Sequence, residues 1–173
     1  MAALLPNKEL VIADNDSGTV LVDGQRSQGT INRSKILSQA TGGRAAATIY
    51  EDLMAMNRDD SRELLKANDV LYIYHNRIDH TGDKMHSEGQ AFEAAEQTME
   101  DLVRLIKKLA AANASNILIT ADHGFIYQNR AIEESDFSGV EAAGESILYR
   151  DRRFVLGKGL KASQGLRKFL PTE

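Results

Sequence analysis

Apolar and polar positions alternate between two periods along this chain. Leu10 to Ala13 and Thr19 to Val22 are short apolar runs separated by Asp14-Asn15-Asp16-Ser17-Gly18 and followed by Asp23-Gly24. That pattern predicts a β-hairpin with a closing turn. Gln25 to Asn32 is polar and predicts a loop. Ser34 to Ala40 predicts a short helix ended by Thr41-Gly42-Gly43. Ile49 to Met56 and Asp59 to Ala67 predict two further helices, the second with Asp59-Asp60 where negative charge suits the helix dipole. Val70-Leu71-Tyr72-Ile73-Tyr74 is apolar on both faces and too short for a helix, the signature of a buried parallel strand.

The longest helical pattern runs from about Met85 to Ala112. Phe92, Ala95, Met99, Leu102, Val103, Ile106 and Leu109 recur at three- and four-residue steps and predict one apolar stripe of core packing. Ile117-Leu118-Ile119-Thr120 then predicts a second buried strand. Strand, long helix and strand form a βαβ unit with parallel strands and a right-handed crossover. Beyond Gly124 the pattern weakens: Glu133 to Glu145 predicts a loop, and Ser146 to Tyr149 and Arg153 to Leu156 predict two short paired strands. Lys158 to Glu173 has no pattern that assigns an element.

The fold class is therefore α/β, and 173 residues suit one domain able to bury roughly 70% of its unfolded surface. Hydrophobic residues at 42% and charged residues at 27% exclude a disordered chain. Cysteine is absent, which excludes disulfide scaffolds, thiolate zinc sites and thiol catalysis. No apolar run approaches the roughly 20 residues of a membrane helix, so no membrane association is expected. Met1 to Pro6 has neither the basic nor the apolar region of a signal peptide, and a cytoplasmic setting is the expectation. The net charge of −4 is uneven: Arg150 to Glu173 carries seven basic and two acidic residues, net +5, against −9 for the rest. Such a stretch either meets phosphate or nucleic acid, or is a solvated end segment.

Ligands in open α/β sheets bind beyond the carboxyl ends of the strands. His75-Asn76-Arg77-Ile78-Asp79-His80-Thr81-Gly82-Asp83 follows the first predicted strand, and Ala121-Asp122-His123-Gly124 follows the second. Loops from neighbouring strands about 4.8 Å apart can share one site. Clustered carboxylates repel one another, and a divalent ion resolves the repulsion. Oxygen and imidazole donors suit zinc or manganese, and two such ions about 3.5–4 Å apart would clamp a phosphoryl group.

The bland alternatives are specific. Asp122 and His123 could be a strand-end acid and a surface histidine. Asp79 and Asp83 could serve turns, with Asp83 capping the helix near Met85. His75 reads as a satisfied strand-end histidine rather than a ligand, and His80 and His86 as surface residues, His80 within reach of a substrate. Thr81, Thr120 and Ser87 have no activating base and are not expected as nucleophiles. Gly157 and Gly159 lack the strand-then-helix context of a phosphate loop.

An Asp-His-Gly after a buried strand, with Asp-x-x-Gly-Asp in the preceding βαβ loop, resembles the alkaline phosphatase superfamily. Tyr72 to Lys84 and Ile119 to Tyr127 are similar to the signatures of PglZ-type proteins of BREX bacteriophage-defence systems. So are Met1 to Pro6, Val20 to Gly24, Ala55 to Arg58 and Arg152 to Gly157, so the resemblance spans nearly the whole chain. It implies part of an alkaline phosphatase-like sheet with flanking helices and two divalent metal ions, zinc in the first instance and manganese as the substitute. Asp79 and Asp83 correspond to the ligands of the first ion, Asp83 standing where many superfamily members have histidine. Asp122 and His123 correspond to those of the second. The implied activity is metal-dependent phosphoester hydrolysis, as a phosphatase or a phosphodiesterase acting on nucleic acid, beside a methyltransferase and an ATPase. The superfamily's nucleophile strand and a late ligand histidine have no counterpart in residues 1–173. The expectation is thus a single partial domain truncated at both ends, with no catalytic nucleophile of its own, little activity alone, and a tendency to self-associate through unpaired sheet edges. The alternative function is a non-catalytic scaffold of the defence complex.

Overall fold

A computed structural model describes residues 1–13, 18–82, 90–124, 141–151, 154–163 and 165–169. The chain packs as two compact units, Met1–Asn32 with Arg130–Glu173, and Arg33–Asn129.

The first unit opens with a 3₁₀ turn at Ala2–Leu4 and a three-stranded antiparallel sheet: β1 (Leu10–Ile12), β2 (Val20–Val22) and β3 (Gln25–Arg26). The expected hairpin is present, with Leu10 opposite Val22 and Ile12 opposite Val20. Asp23 and Gly24 join β2 to β3 with φ of 48° and 78°. Two consecutive positive φ values are the conformation of a two-residue type I′ hairpin turn, which Asp-Gly favours. The Asp23 carboxylate also accepts the Lys8 and Glu9 amides at 2.9 and 2.8 Å. Gln25 and Arg26, expected in a loop, thus pair as a third strand because the tight turn returns the chain alongside β2. Farther on, β6 (Ser146–Arg150) and β7 (Val155–Lys158) form the expected antiparallel pair. A Cβ at Gly157 would collide with the Ser146 carbonyl oxygen, so glycine there permits the close approach of the two strands. That packing role agrees with discounting a phosphate loop. Arg153 and most of Glu133 to Glu145 lie outside the described residues.

The second unit carries the candidate chemistry. Helix α1 (Thr30–Ala40) leads into it, starting four residues earlier than expected. Strand β4 (Ala45–Ile49), helices α2 (Tyr50–Ala55) and α3 (Arg58–Ala67), and strand β5 (Val70–Tyr74) follow. Strands β4 and β5 pair in parallel, from Ala45 opposite Val70 to Ile49 opposite Tyr74. The βαβ unit is therefore the one built by β4, the two helices and β5. Ala45-Ala46-Ala47 carries a helical propensity that hid β4 in the sequence, and pairing overrides it. Ser34 supports the strand: the Ala47 amide donates to its hydroxyl oxygen at 2.8 Å, and that hydroxyl donates to the Ala47 carbonyl at 3.2 Å. Asn57 caps α3 by accepting the Asp59 and Asp60 amides, both at 2.9 Å.

Helix α4 (Arg77–Gly82) replaces the loop expected after β5, and α5 (Ala91–Ala111) is the long helix. Residues 83–89 lie outside the described set. The core joins Tyr50 and Leu53 of α2 to Leu105 and Leu109 of α5. The Lys108 ammonium donates to the Met54 and Met56 carbonyls, serving the C-terminal end of α2.

Two expectations need correction. The inward face of α5 is Ala94, Thr98, Asp101, Leu105 and Leu109; of the expected stripe Leu109 is buried and Leu102 packs against the core, but Met99 at 66% and Val103 at 50% exposure face outward. The second correction concerns Ile117 to Thr120, which forms no ladder among the described residues; Leu118 is 90% exposed. An apolar run demands burial but cannot supply the neighbouring N–H and C=O groups that make a strand. Among the described residues no helix is long and apolar enough to cross a membrane.

Candidate metal centre

Strand β5 ends at Tyr74 and the chain turns at His75-Asn76 into α4, whose first hydrogen bond runs from the His80 amide to the Asn76 carbonyl at 3.0 Å. Asp79 lies in the first turn of α4, beyond the carboxyl end of β5. The segment after α5 returns Asp122 and His123 to the same place. The His123 Nε2 atom lies 3.9 Å from an Asp79 carboxylate oxygen and 3.9 Å from an Asp122 carboxylate oxygen. Three of the four expected ligands therefore meet around one imidazole nitrogen. Asp83 lies outside the described residues.

The other nitrogen of that ring fixes its tautomer. His123 Nδ1 faces the Gly124 carbonyl at 3.0 Å. A carbonyl only accepts, so Nδ1 carries the proton. Nε2 then faces two carboxylates, and either a second ring proton or a bound cation there would balance their negative charge. Donation of the second ring N–H to a backbone carbonyl is also how metal-bound histidines are oriented. Two ligands of one tetrahedral zinc, with bonds near 2.1 Å, stand about 3.4 Å apart. The observed separations are wider by about half an ångström, and among the described residues no three such groups are gathered tightly enough to hold an ion. The donor types, two carboxylates and an imidazole, are those that suit a divalent cation such as zinc or manganese. The three side chains are accessible, with exposures of 40% for Asp79, 21% for Asp122 and 63% for His123.

A buried polar cluster, which the sequence pattern did not reveal, sits beside this centre. Asp101 of α5 is only 5% exposed. One of its carboxylate oxygens accepts Arg77 Nη2 at 2.7 Å, Arg77 Nε at 3.1 Å and His75 Nε2 at 3.1 Å. The other accepts the Tyr50 hydroxyl at 3.1 Å, and the Tyr50 ring meets the His75 ring edge-on at 4.9 Å. Burial pushes the Asp101 carboxyl up, but the hydrogen bonds from His75, Arg77 and Tyr50, with the Arg77 charge, hold it below the usual carboxylate range. Burial, reinforced by the Asp101 carboxylate, pushes the Tyr50 hydroxyl up. His75 is thus a hydrogen-bonded strand-end histidine. The signal that could have found Asp101 is the spacing of Ala94, Thr98, Leu105 and Leu109, which places it on their face of the helix.

Residues 1–171 match the family described as the BREX system PglZ alkaline phosphatase-like domain. The chain is 38% identical over 170 residues to an alkaline phosphatase-like protein PglZ of Bacillus cereus strain H3081.97, covering 98% of this chain and 19% of that protein. It is 33% identical over 163 residues to an alkaline phosphatase-like protein BrxZ of Escherichia coli O9:H4 strain HS, covering 94% of this chain and 18% of that one. The chain thus spans about one fifth of the length of these curated relatives. No solved structure matches it.

Proposed function

The chain belongs to the PglZ family of alkaline phosphatase-like domains of BREX systems, and from that premise we propose that it supplies metal ligands to a phosphoester hydrolase. The observation that carries this reading is the placement of His123 Nε2 at 3.9 Å from both the Asp79 and the Asp122 carboxylates. Asp79 and Asp83 would hold one divalent ion, and Asp122 and His123 a second, zinc or manganese by donor type. When bound, such ions polarise a phosphoryl oxygen and acidify a bound water. The chain's own part is to orient the donors. The Gly124 carbonyl takes up the Nδ1 side of His123 and leaves Nε2 facing the carboxylates, and α4 presents Asp79 at the end of β5. The basic stretch from Arg150 favours a phosphodiester of nucleic acid as substrate, and the family setting favours a methyltransferase and an ATPase as partners.

A second reading has its own support. No three metal-binding side chains converge to chelating distance among the described residues, which suits a scaffold that has kept the family's shape without its chemistry. Calorimetric titration of zinc and of manganese separates the two. The hydrolase reading expects micromolar or tighter binding that is lost in the Asp122→Ala, His123→Ala double variant. Binding of equal strength in that folded variant would refute the ligand assignment and favour the scaffold.

A further inference from the structure

We infer that Asp101 is a positioning residue that aims Asp79 at the candidate ion, an assignment that rests on the metal-binding reading above. Asp101 is buried and central to α5, and its hydrogen-bonding partners are Tyr50, His75 and Arg77 rather than the candidate ligands. Its carboxylate instead grips both sides of the corner between β5 and α4, taking His75 before Asn76 and Arg77 after it. Arg77 is the first residue of α4, and its third nitrogen donates to Gln97 of α5 at 3.2 Å, so its guanidinium is held against α5 at both ends. Asp79 follows two residues later. Two residues of α-helix turn the side-chain direction by about 200°. With Arg77 anchored on α5, Asp79 must project from the opposite side of α4. That side is where His123 Nε2 lies.

Alternative roles explain less. Stability alone does not explain the cluster, because replacing a whole buried ionic group by well-packed apolar side chains is often neutral or stabilising, whereas removing Asp101 alone would leave Arg77, His75 and Tyr50 without their acceptor. Four donor atoms, from Tyr50 of α2, His75 of the corner and Arg77 of α4, converge on this one carboxylate and so hold the corner's geometry. Groups that hydrogen-bond a ligand directly alter metal affinity by about 10- to 100-fold when removed, and Asp101, acting one step further out through α4, belongs at the lower end of that range.

The test uses Asp101→Asn, with Arg77→Lys as a second variant that keeps the charge but loses the two-point grip on Asp101. Zinc affinity is measured by calorimetry, and cobalt(II) absorption is recorded at saturating metal. Both variants should bind zinc about 10-fold or more weakly, and their cobalt spectra should match that of Asp79→Ala rather than wild type. Leu53→Ala, which loosens the same core without touching the corner, should keep the wild-type spectrum and affinity in its folded fraction. Should Asp101→Asn fail to fold, Arg77→Lys decides. Wild-type affinity and spectrum in the corner variants, with binding lost in the Asp122→Ala, His123→Ala pair, would overturn the positioning role and leave the metal reading standing. Unchanged binding both in that pair and in Asp79→Ala would remove both. A spectral change of equal size in Leu53→Ala would mark the effect as one of stability and overturn the positioning role.

Discussion

A single carboxylate carries much of the polar order in the second unit. Asp101 is depressed below its ordinary value of 3.8 although burial opposes this, because three side chains donate to its charged form. The lowered value has a definite consequence for stability. The unfolded chain protonates Asp101 more readily than the folded one, so its contribution is present above about pH 4 and is lost as pH falls through the lower folded value. Urea unfolding between pH 7 and pH 3 should therefore show a smaller decline for Asp101→Asn than for wild type. An equal decline in the two proteins would show that the carboxylate is not what acid removes. The same residue marks the limit of what the sequence discloses. Asp79, Asp122 and His123 were legible because they follow apolar runs in motifs of strong local character. Asp101 lies inside a helical pattern with other acids on neighbouring turns; its spacing from Ala94, Thr98, Leu105 and Leu109 is the one local sign of burial, and contact with His75, Arg77 and Tyr50 is what makes it so.

Elements were legible where a local device fixed them. The two short apolar runs from Leu10 and from Thr19 pair as expected, and Val70 to Tyr74 forms a parallel strand as its composition predicts. Asn57 ends the extended backbone before α3 and accepts two of the helix's first amides. Replacing it with alanine should cost about 1 kcal/mol in urea denaturation. Elements that depend on a distant partner were not legible: β4 is alanine-rich and exists through its pairing with β5, and the face of α5 that turns inward is chosen by α2. Leu53 shows how strongly. It is fully buried against Tyr50, Leu105 and Leu109. Truncation to alanine should cost about 2–5 kcal/mol, because the surrounding helices can close only part of the cavity. Met99→Ala, on the exposed face of α5, should change stability by less than about 0.5 kcal/mol in the same titration. Similar costs at the two positions would mean that the inward face has been assigned wrongly.

At the scale of the molecule, the inward face of α5 and its apolar stripe cannot both be served by the β4–β5 unit. Met99, Val103 and Ile106 line one side of the helix with exposures of 66%, 50% and 36%, about a third of a turn from the buried face. Ile117, Leu118 and Ile119 add exposures of 41%, 90% and 55% on a segment that forms no ladder among the described residues. A soluble protein rarely leaves so many large aliphatic side chains in water unless the surface meets something. Both features have one physical origin: the residues are patterned for burial on more sides than this unit covers. The chain should therefore associate with itself at moderate concentration. Light scattering across a dilution series should give a molar mass that rises above 19.1 kDa with concentration. Replacing Met99 and Val103 by lysine should move the curve toward the monomer, since the charges are costly to bury and little is lost from the core. The ladderless segment is tested separately by Leu118→Lys. If it contributes an edge to the association, that substitution should weaken it further, because an inserted charge is one of the devices by which sheet edges are kept from pairing. A single monomeric mass at every concentration would show that these side chains tolerate water in this fold, and would remove the grounds for reading them as contact surface.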